Sequence, residues 1–421
     1  MALGFLKGTR GRIYQIAAGV VVLALVVFLW APEFLKTVEI RLYDLHFKLR
    51  GVEQPGDGVV IAAIDEKSLA ALGRWPWPRS LMGELIRVLS AGGAKVIAVD
   101  ILLSEPEASG ELRAATQLSE RLQALGAAGG GAAGPVVQRE LEDLIRRADH
   151  DRQLADAIRE SGRVVLPIVF EVGPDRSGAP PEPSGTPYKS ALQSFRHYEE
   201  RGLYPPPAAK ESTPPLPALV EAAQTLGHVT MLADQDGTTR WEAVVFEDRG
   251  RYYPSLALQA VRVASGVEPK GVTLDFGRAL TVGSMSAPLD PRDRLLINYA
   301  GPGGTFRHLS AVDIMSGKLG PDAVRDRIVF IGATAAGTYD LRVTPTSPIM
   351  PGVEKHANVA ANVLSGRFLR RPDWVELVEV AGILCFPFLL AWLLPRLRPV
   401  VSLGAVLAVW GVLFAVVHLA F

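Results

Sequence analysis

Residues Val59–Glu105 read VVIAAIDEKSLAALGRWPWPRSLMGELIRVLSAGGAKVIAVDILLSE, and this stretch decides the fold. Val59–Ile64 is an unbroken apolar run rich in β-branched residues, the pattern of a strand covered on both faces of a parallel sheet. Asp65 ends the run and is placed to N-cap a short helix, Glu66–Leu72, which Gly73 terminates. In Arg74-Trp75-Pro76-Trp77-Pro78-Arg79 each proline removes a backbone donor and restricts the residue before it, so a rigid turn is expected. From Ser80 onward Leu81, Met82, Leu85, Ile86, Val88 and Leu89 fall on one helical face, closed by Gly92-Gly93. Val96–Leu102 reads as a second buried strand. Strand, crossover helix and strand predict a right-handed βαβ unit in a mainly parallel or mixed sheet. Asp65 and Asp100 then lie near the carboxyl ends of their strands, where open α/β sheets bind ligands.

Downstream, Glu105 to about Arg147 reads as a helical insertion (105–147) whose middle, GAAGGGAAGP, is too rich in glycine for regular structure. An amphipathic helix ending at Gly162 and a strand from Arg163 to Phe170 follow. Gly173–Pro217 (173–217) is a second irregular stretch, with PPEPSG, YPPP and TPPLP favouring polyproline structure, and it reads as a solvated connector or a partner-docking surface. Ala218–Leu226 is expected as a helix capped by Gly227, with a strand from His228. Asp234-Gln235-Asp236-Gly237 is a tight turn, Ser255 caps a helix, and Val272–Val282 forms a hairpin around Gly277. Arg294–Tyr299 and Ile328–Ile331 read as buried strands, and Ser310-x-x-Asp313 as a capping box with a shorter acid. Gly352–Leu364 is the final helix, with an apolar face at Val353, Ala357, Ala360 and Leu364 and closure by Gly366.

The run AIDEKSLAALGRWPWPR, followed by VIAVDILLSEPE, resembles the CHASE domain family, second type. DQDGTTR, YPSLALQA, LLINYAGPGGTF, IVFIGAT and MPGVEKHANVAANVLSG extend the resemblance, in family order, over most of Leu42–Arg371. The signature residues it implies are Trp75, Pro76, Trp77, Pro78, Asp236, Gly237, Asn298, Gly332, Asp340, Gly352 and His356. It also implies an α/β extracytoplasmic sensor domain, of the kind that feeds bacterial adenylate cyclases, histidine kinases and Ser/Thr kinases. Signal input lies outside the membrane and catalysis inside, with an adenylate cyclase the expected effector.

The 44 basic and 44 acidic residues cancel, so no global field argues for nucleic acid. The single cysteine, Cys385, excludes an intrachain disulfide and reads as a small hydrophobe in an apolar span. Residues 1–12 carry Lys7, Arg10 and Arg12 without an acid, and 13–31 form an apolar run close to the roughly 20 residues a bilayer crossing needs. Phe28-Leu29-Trp30 is too bulky for a signal-peptide cleavage site, so a retained anchor is expected. Residues 375–394 and 400–421 are further candidate spans, joined by a connection holding Arg396 and Arg398. Both basic flanks are expected in the cytoplasm, which puts 32–374 outside the cytoplasmic (inner) membrane in a multi-pass protein. Because no polar tail follows Phe421, a truncated chain or a short non-catalytic member is expected.

Asp65, Arg74, Arg79 and Asp100 are the candidate ligand-binding residues at the sheet edge, although capping accounts for Asp65 and turn bracing for the arginines. Asp234 and Asp236 begin like a calcium loop, but the later carboxylates are missing and a plain turn is expected. Gly301-Pro302-Gly303-Gly304 lacks the lysine and hydroxyl of a phosphate loop and reads as a turn. His356 is expected beside the buried face, satisfied by a hydrogen bond. No nucleophile elbow or H-E-x-x-H pair occurs, and no catalytic residue, metal site or cofactor is expected. The partners expected are the membrane, a second copy in a homodimer or larger homo-oligomer, and an unidentified extracytoplasmic ligand or protein. A non-catalytic membrane scaffold and an extracytoplasmic hydrolase remain as alternative functions.

Overall fold

A computed structural model describes residues 9–30, 32–107, 109–124, 134–172, 188–337, 340–369, 374–398 and, in part, 401–411. The first elements are helices Thr9–Trp30 (α1) and Pro32–Arg50 (α2), strand Val59–Ile64 (β1), helices Glu66–Leu72 (α3) and Arg79–Ala91 (α4), and strand Val96–Val99 (β2). Helices Gly110–Ala124 (α5), Gly134–Ala148 (α6) and His150–Ser161 (α7) lead to strands Val164–Val172 (β3), Ser194–Arg196 (β4) and Ala209–Thr213 (β5). Helix Pro217–Ala222 (α8) precedes strands Thr225–His228 (β6), Trp241–Ala243 (β7), Val245–Asp248 (β8) and Arg251–Pro254 (β9), then helix Leu256–Ala264 (α9). Strands Val272–Asp275 (β10), Ala279–Val282 (β11), Met285–Pro288 (β12), Arg294–Leu296 (β13) and His308–Ser310 (β14) end at helix Ala311–Met315 (α10). Strands Ile328–Ala333 (β15), Leu341–Arg342 (β16) and Met350–Pro351 (β17) precede helices Gly352–Ser365 (α11) and Trp374–Leu393 (α12).

These elements fall into two units, Val52–Phe368 and the flanking segments Met1–Gly51 and Leu369–Phe421. The larger unit begins later than residue 32, because α2 continues as helix to Arg50 and groups with α1. In the flanking unit α12 packs on α1. Of the described helices, Gly11–Trp30 alone is long and apolar enough to cross a bilayer. Helix α12 matches the expected second span in position, but only Val380–Leu393 of it is a purely apolar stretch. Residues 400–421 lie largely outside the described residues.

The main sheet runs β14-β1-β15-β2-β3, with β6 and β5 both pairing β3. All these pairings are parallel except β3–β5. The βαβ unit forms as expected, except that β15 inserts between β1 and β2. Val60, Ala62 and Ile64 turn to one face, packing with Met82, Leu85 and Ile86 of α4 and with Leu154 and Ile158 of α7. Residues Phe330 and Gly332 of β15 turn to the other face, towards α11. Both faces are therefore covered, which is why these strands are continuous apolar runs.

Several boundaries follow long-range packing instead of local pattern. Asp65 N-caps α3 through the Ser68 amide at 2.9 Å, as expected. Leu226, Gly227 and His228 belong to β6, not to a helix end. A Cβ on Gly227 would stand 2.5 Å from Leu256 Cα, so this glycine admits the close approach of α9 and caps nothing. The described part of 173–217 is not a solvated connector: β5 extends the main sheet along β3, and β4 joins β10 in a four-stranded sheet. The expected capping box at Ser310 does not form, because its hydroxyl donates to Asp65 Oδ1 at 2.8 Å. Strand β2 ends at Val99 and β13 at Leu296, both shorter than expected.

Candidate functional site

Helix α11 is buried all round from Gly352 to Val363, and only Leu364 of its expected apolar face is exposed. Each polar side chain on it therefore needs a partner. Glu354, Asn358 and Asn362 recur every four residues and share one stripe of the helix. Asn362 accepts from the Asn298 amide and donates to the Asn298 carbonyl, each at 2.9 Å. Asn358 accepts from the Ala300 amide at 2.9 Å. The Glu354 carboxylate accepts from the amides of Gly304 at 2.8 Å and Phe306 at 3.1 Å. The stripe thus does for segment 298–306 what a neighbouring strand would do.

Lys355 and His356 point elsewhere. Lys355 is ion-paired with Glu242 of β7, and both side chains are closed to solvent. The His356 ring is fully buried and stacks on Phe330, with centroids 6.5 Å apart. Its Nε2 lies 3.9 Å from the Oδ1 of Asp100, which follows β2, too far for a hydrogen bond. Among the described residues, neither His356 ring nitrogen nor Asp100 Oδ2 has a hydrogen-bond partner, so the histidine is not satisfied as expected. His228, at the end of β6, is buried as well. Burial first, then the neighbouring Asp340, pushes Asp100 up to about 7 against the pull of Lys355 and Arg342. Burial, then Lys355, His228 and Arg342, holds His356 well below its ordinary value. Asp100 stands at the carboxyl end of β2, the edge that binds ligands in open α/β folds, whereas His356 lies over Phe330 within β15 and Glu242 comes from β7, outside the main sheet.

A CHASE2 domain model matches residues 20–394. The chain belongs to the CHASE2 family. No curated protein and no solved structure matches it. Membership makes this a CHASE2 sensor domain and implies an extracytoplasmic sensory module. In this CHASE2 domain the signature residues have structural work. Trp77 is buried, donates Nε1 to the Gly73 carbonyl at 2.9 Å and meets Trp75 edge to face, with a cis bond between Trp75 and Pro76. A Cβ on Gly332 would stand 2.5 Å from Val353 Cβ, so glycine is what lets α11 lie against β15. Gly352 donates its amide to the Asp340 carbonyl at 2.9 Å, and Arg342 reaches Asp340 Oδ1 at 3.0 Å. Asp234 and Asp236 clasp the buried Arg240 at 2.9 Å each, and that guanidinium holds Asp236 well below the usual carboxylate range.

The CHASE2 structure separates the residues grouped from the sequence. Burial alone would raise Asp65, but hydrogen bonds from Ser68 and Ser310 outweigh it and lower its pKa, so the carboxylate is engaged in the cap. The Arg79 guanidinium is bound to Asp151 and to the Glu105 carbonyl. Arg74 is exposed. The Gly301–Gly304 turn meets a carboxylate of its own chain, Glu354, through the Gly304 amide. Only Asp100 of the four candidates enters the buried polar cluster. Glu242, Lys355 and His228 were missed; the sole sequence signal was Glu354-Lys355-His356, three consecutive polar residues opening an apolar helix. Among the described residues no three His, Cys, Asp or Glu side chains assemble as a metal site.

Proposed function

We propose that this chain is the extracytoplasmic input module of a membrane-anchored signalling receptor whose effector is an adenylate cyclase. The family assignment supports a sensor, and the apolar Gly11–Trp30 helix, preceded by Lys7 and Arg10, supports an anchor with its N-terminus in the cytoplasm. In this reading α12 and residues 400–421 are the second and third spans, and the receptor is a homodimer. The observation that carries the signalling route is α11. One end of this buried helix bears the polar cluster, and the other ends at Gly366, a few residues before α12. A change at the cluster then shifts or rotates the span, provided the stimulus stabilises the two arrangements unequally.

The test is a Gly-Gly-Ser insertion after Gly366 in the full-length protein, with cyclic AMP formation measured in its native membranes. The expected result is a folded sensor whose output equals that of a receptor lacking residues 52–368. Output unchanged from the parent protein would overturn coupling through α11. Absence of cyclic AMP formation by the parent would overturn the choice of effector.

A further inference from the structure

We infer that Asp100 and His356 form a proton-binding site, through which the pH outside the membrane sets how firmly α11 is held against the sheet. The site itself stands independently of the proposed function; only the side of the membrane it samples rests on that reading. The two side chains are closed off, with Asp100 8% exposed and His356 not at all, and they face each other at 3.9 Å with no hydrogen bond between them. Asp100 Oδ2 and both imidazole nitrogens are without partners among the described residues, so a change of charge there is not absorbed by a local donor or acceptor.

The surroundings leave the pair as the adjustable element. From α11 itself comes Lys355, committed to Glu242 of β7. Strand β6 contributes His228, and the segment before α11 contributes Asp340 and Arg342. Strand β15 supplies the uncharged Phe330, and β1 carries no charge. Helix α9 carries one charged residue, Arg262, whose guanidinium is bound to Gln259 and to the Val267 carbonyl. With Asp100 protonated and His356 neutral, two uncharged groups share the site. Loss of the Asp100 proton to solvent leaves a buried carboxylate attracted to Lys355 and Arg342 and repelled by Asp340. Lys355 is already held by Glu242, so the anion competes for an ammonium that belongs to α11. The strain falls on the first turn of that helix, where Gly352 is tied to the Asp340 carbonyl. The upward displacement of Asp100 to about 7 places this change near neutral pH.

The test uses the full chain in lipid nanodiscs, with aspartate labelled for isotope-edited infrared spectroscopy and amide exchange followed across residues 352–365. The expected result is a protonated-carboxyl band that titrates near pH 7 and is lost in Asp100→Asn, any remaining band coming from Asp293, which burial raises to the same range. Exchange in α11, corrected for its intrinsic pH dependence, is expected to rise several-fold between about pH 6 and about pH 8 in the parent and to stay flat in Asp100→Asn. Should that variant fail to fold, Asp340→Asn keeps the Asp100 carboxyl and is expected to lower the midpoint of its band, because Asp340 helps to raise it. A band unaffected by Asp100→Asn, or α11 exchange in the parent that ignores pH, would overturn the proton site. In sealed vesicles of known orientation, a response to the inner pH alone would instead overturn the assigned topology and leave the site standing.

Discussion

At the end of β2, Asp100 gives up solvent without gaining a hydrogen bond on Oδ2. Its raised pKa means that the folded chain holds this proton more tightly than the unfolded chain does. The stabilisation is fully present below the ordinary value of 3.8 and is lost as pH rises through about 7. That span corresponds to about 4 kcal/mol as an upper bound. His356 runs the other way: its lowered pKa contributes stability above 6.5 that is lost as pH falls. Asp100→Asn removes the first effect and keeps the second. The stability of this variant relative to the parent should therefore improve by up to about 4 kcal/mol between pH 4 and pH 7, read by chemical denaturation across that range. A difference that stays constant with pH would show that the buried carboxyl titrates like an exposed one.

Helix α11 achieves full burial by pairing its polar stripe with backbone, not with solvent. Removing the Asn358 amide leaves the Ala300 N–H without its acceptor inside the domain. Such an orphaned donor costs about 1–3 kcal/mol, so Asn358→Ala should lower the melting temperature. Exchange should increase at Ala300 and its neighbours while β1 and β15 remain protected. Uniform loss of protection over the whole sheet would mean that Asn358 holds the entire domain and not one strand-like segment. Sterics set the opposite limit beneath α11, where a Cβ on Gly332 would stand 2.5 Å from Val353 Cβ.

The whole molecule is a doubly covered, mostly parallel sheet in Val52–Phe368, flanked in sequence by helices of which α1 is apolar enough to span a bilayer. With Cys385 replaced by serine, a cysteine at the exposed Leu118 of α5 should react with a membrane-impermeant maleimide in intact cells. Labelling that requires membrane rupture would invert the proposed topology. The strands β1 and β15, the caps at Asp65, Gly162, Ser255 and Gly366, and the hairpin around Gly277 were legible in the chain, because buried runs, caps and turns are set by residues within a few positions of one another. The family was legible too, from motifs spread in order across the chain. The sequence did not reveal that β15 enters between β1 and β2, or that part of the proline-rich stretch becomes sheet edge. Nor did it show that Lys355 pairs with Glu242 while His356 comes to lie 3.9 Å from Asp100. Periodicity reports which face of an element is apolar, whereas the meeting of charges far apart in the chain depends on strand order and on the close approach of α11 to the sheet, which only the tertiary structure decides.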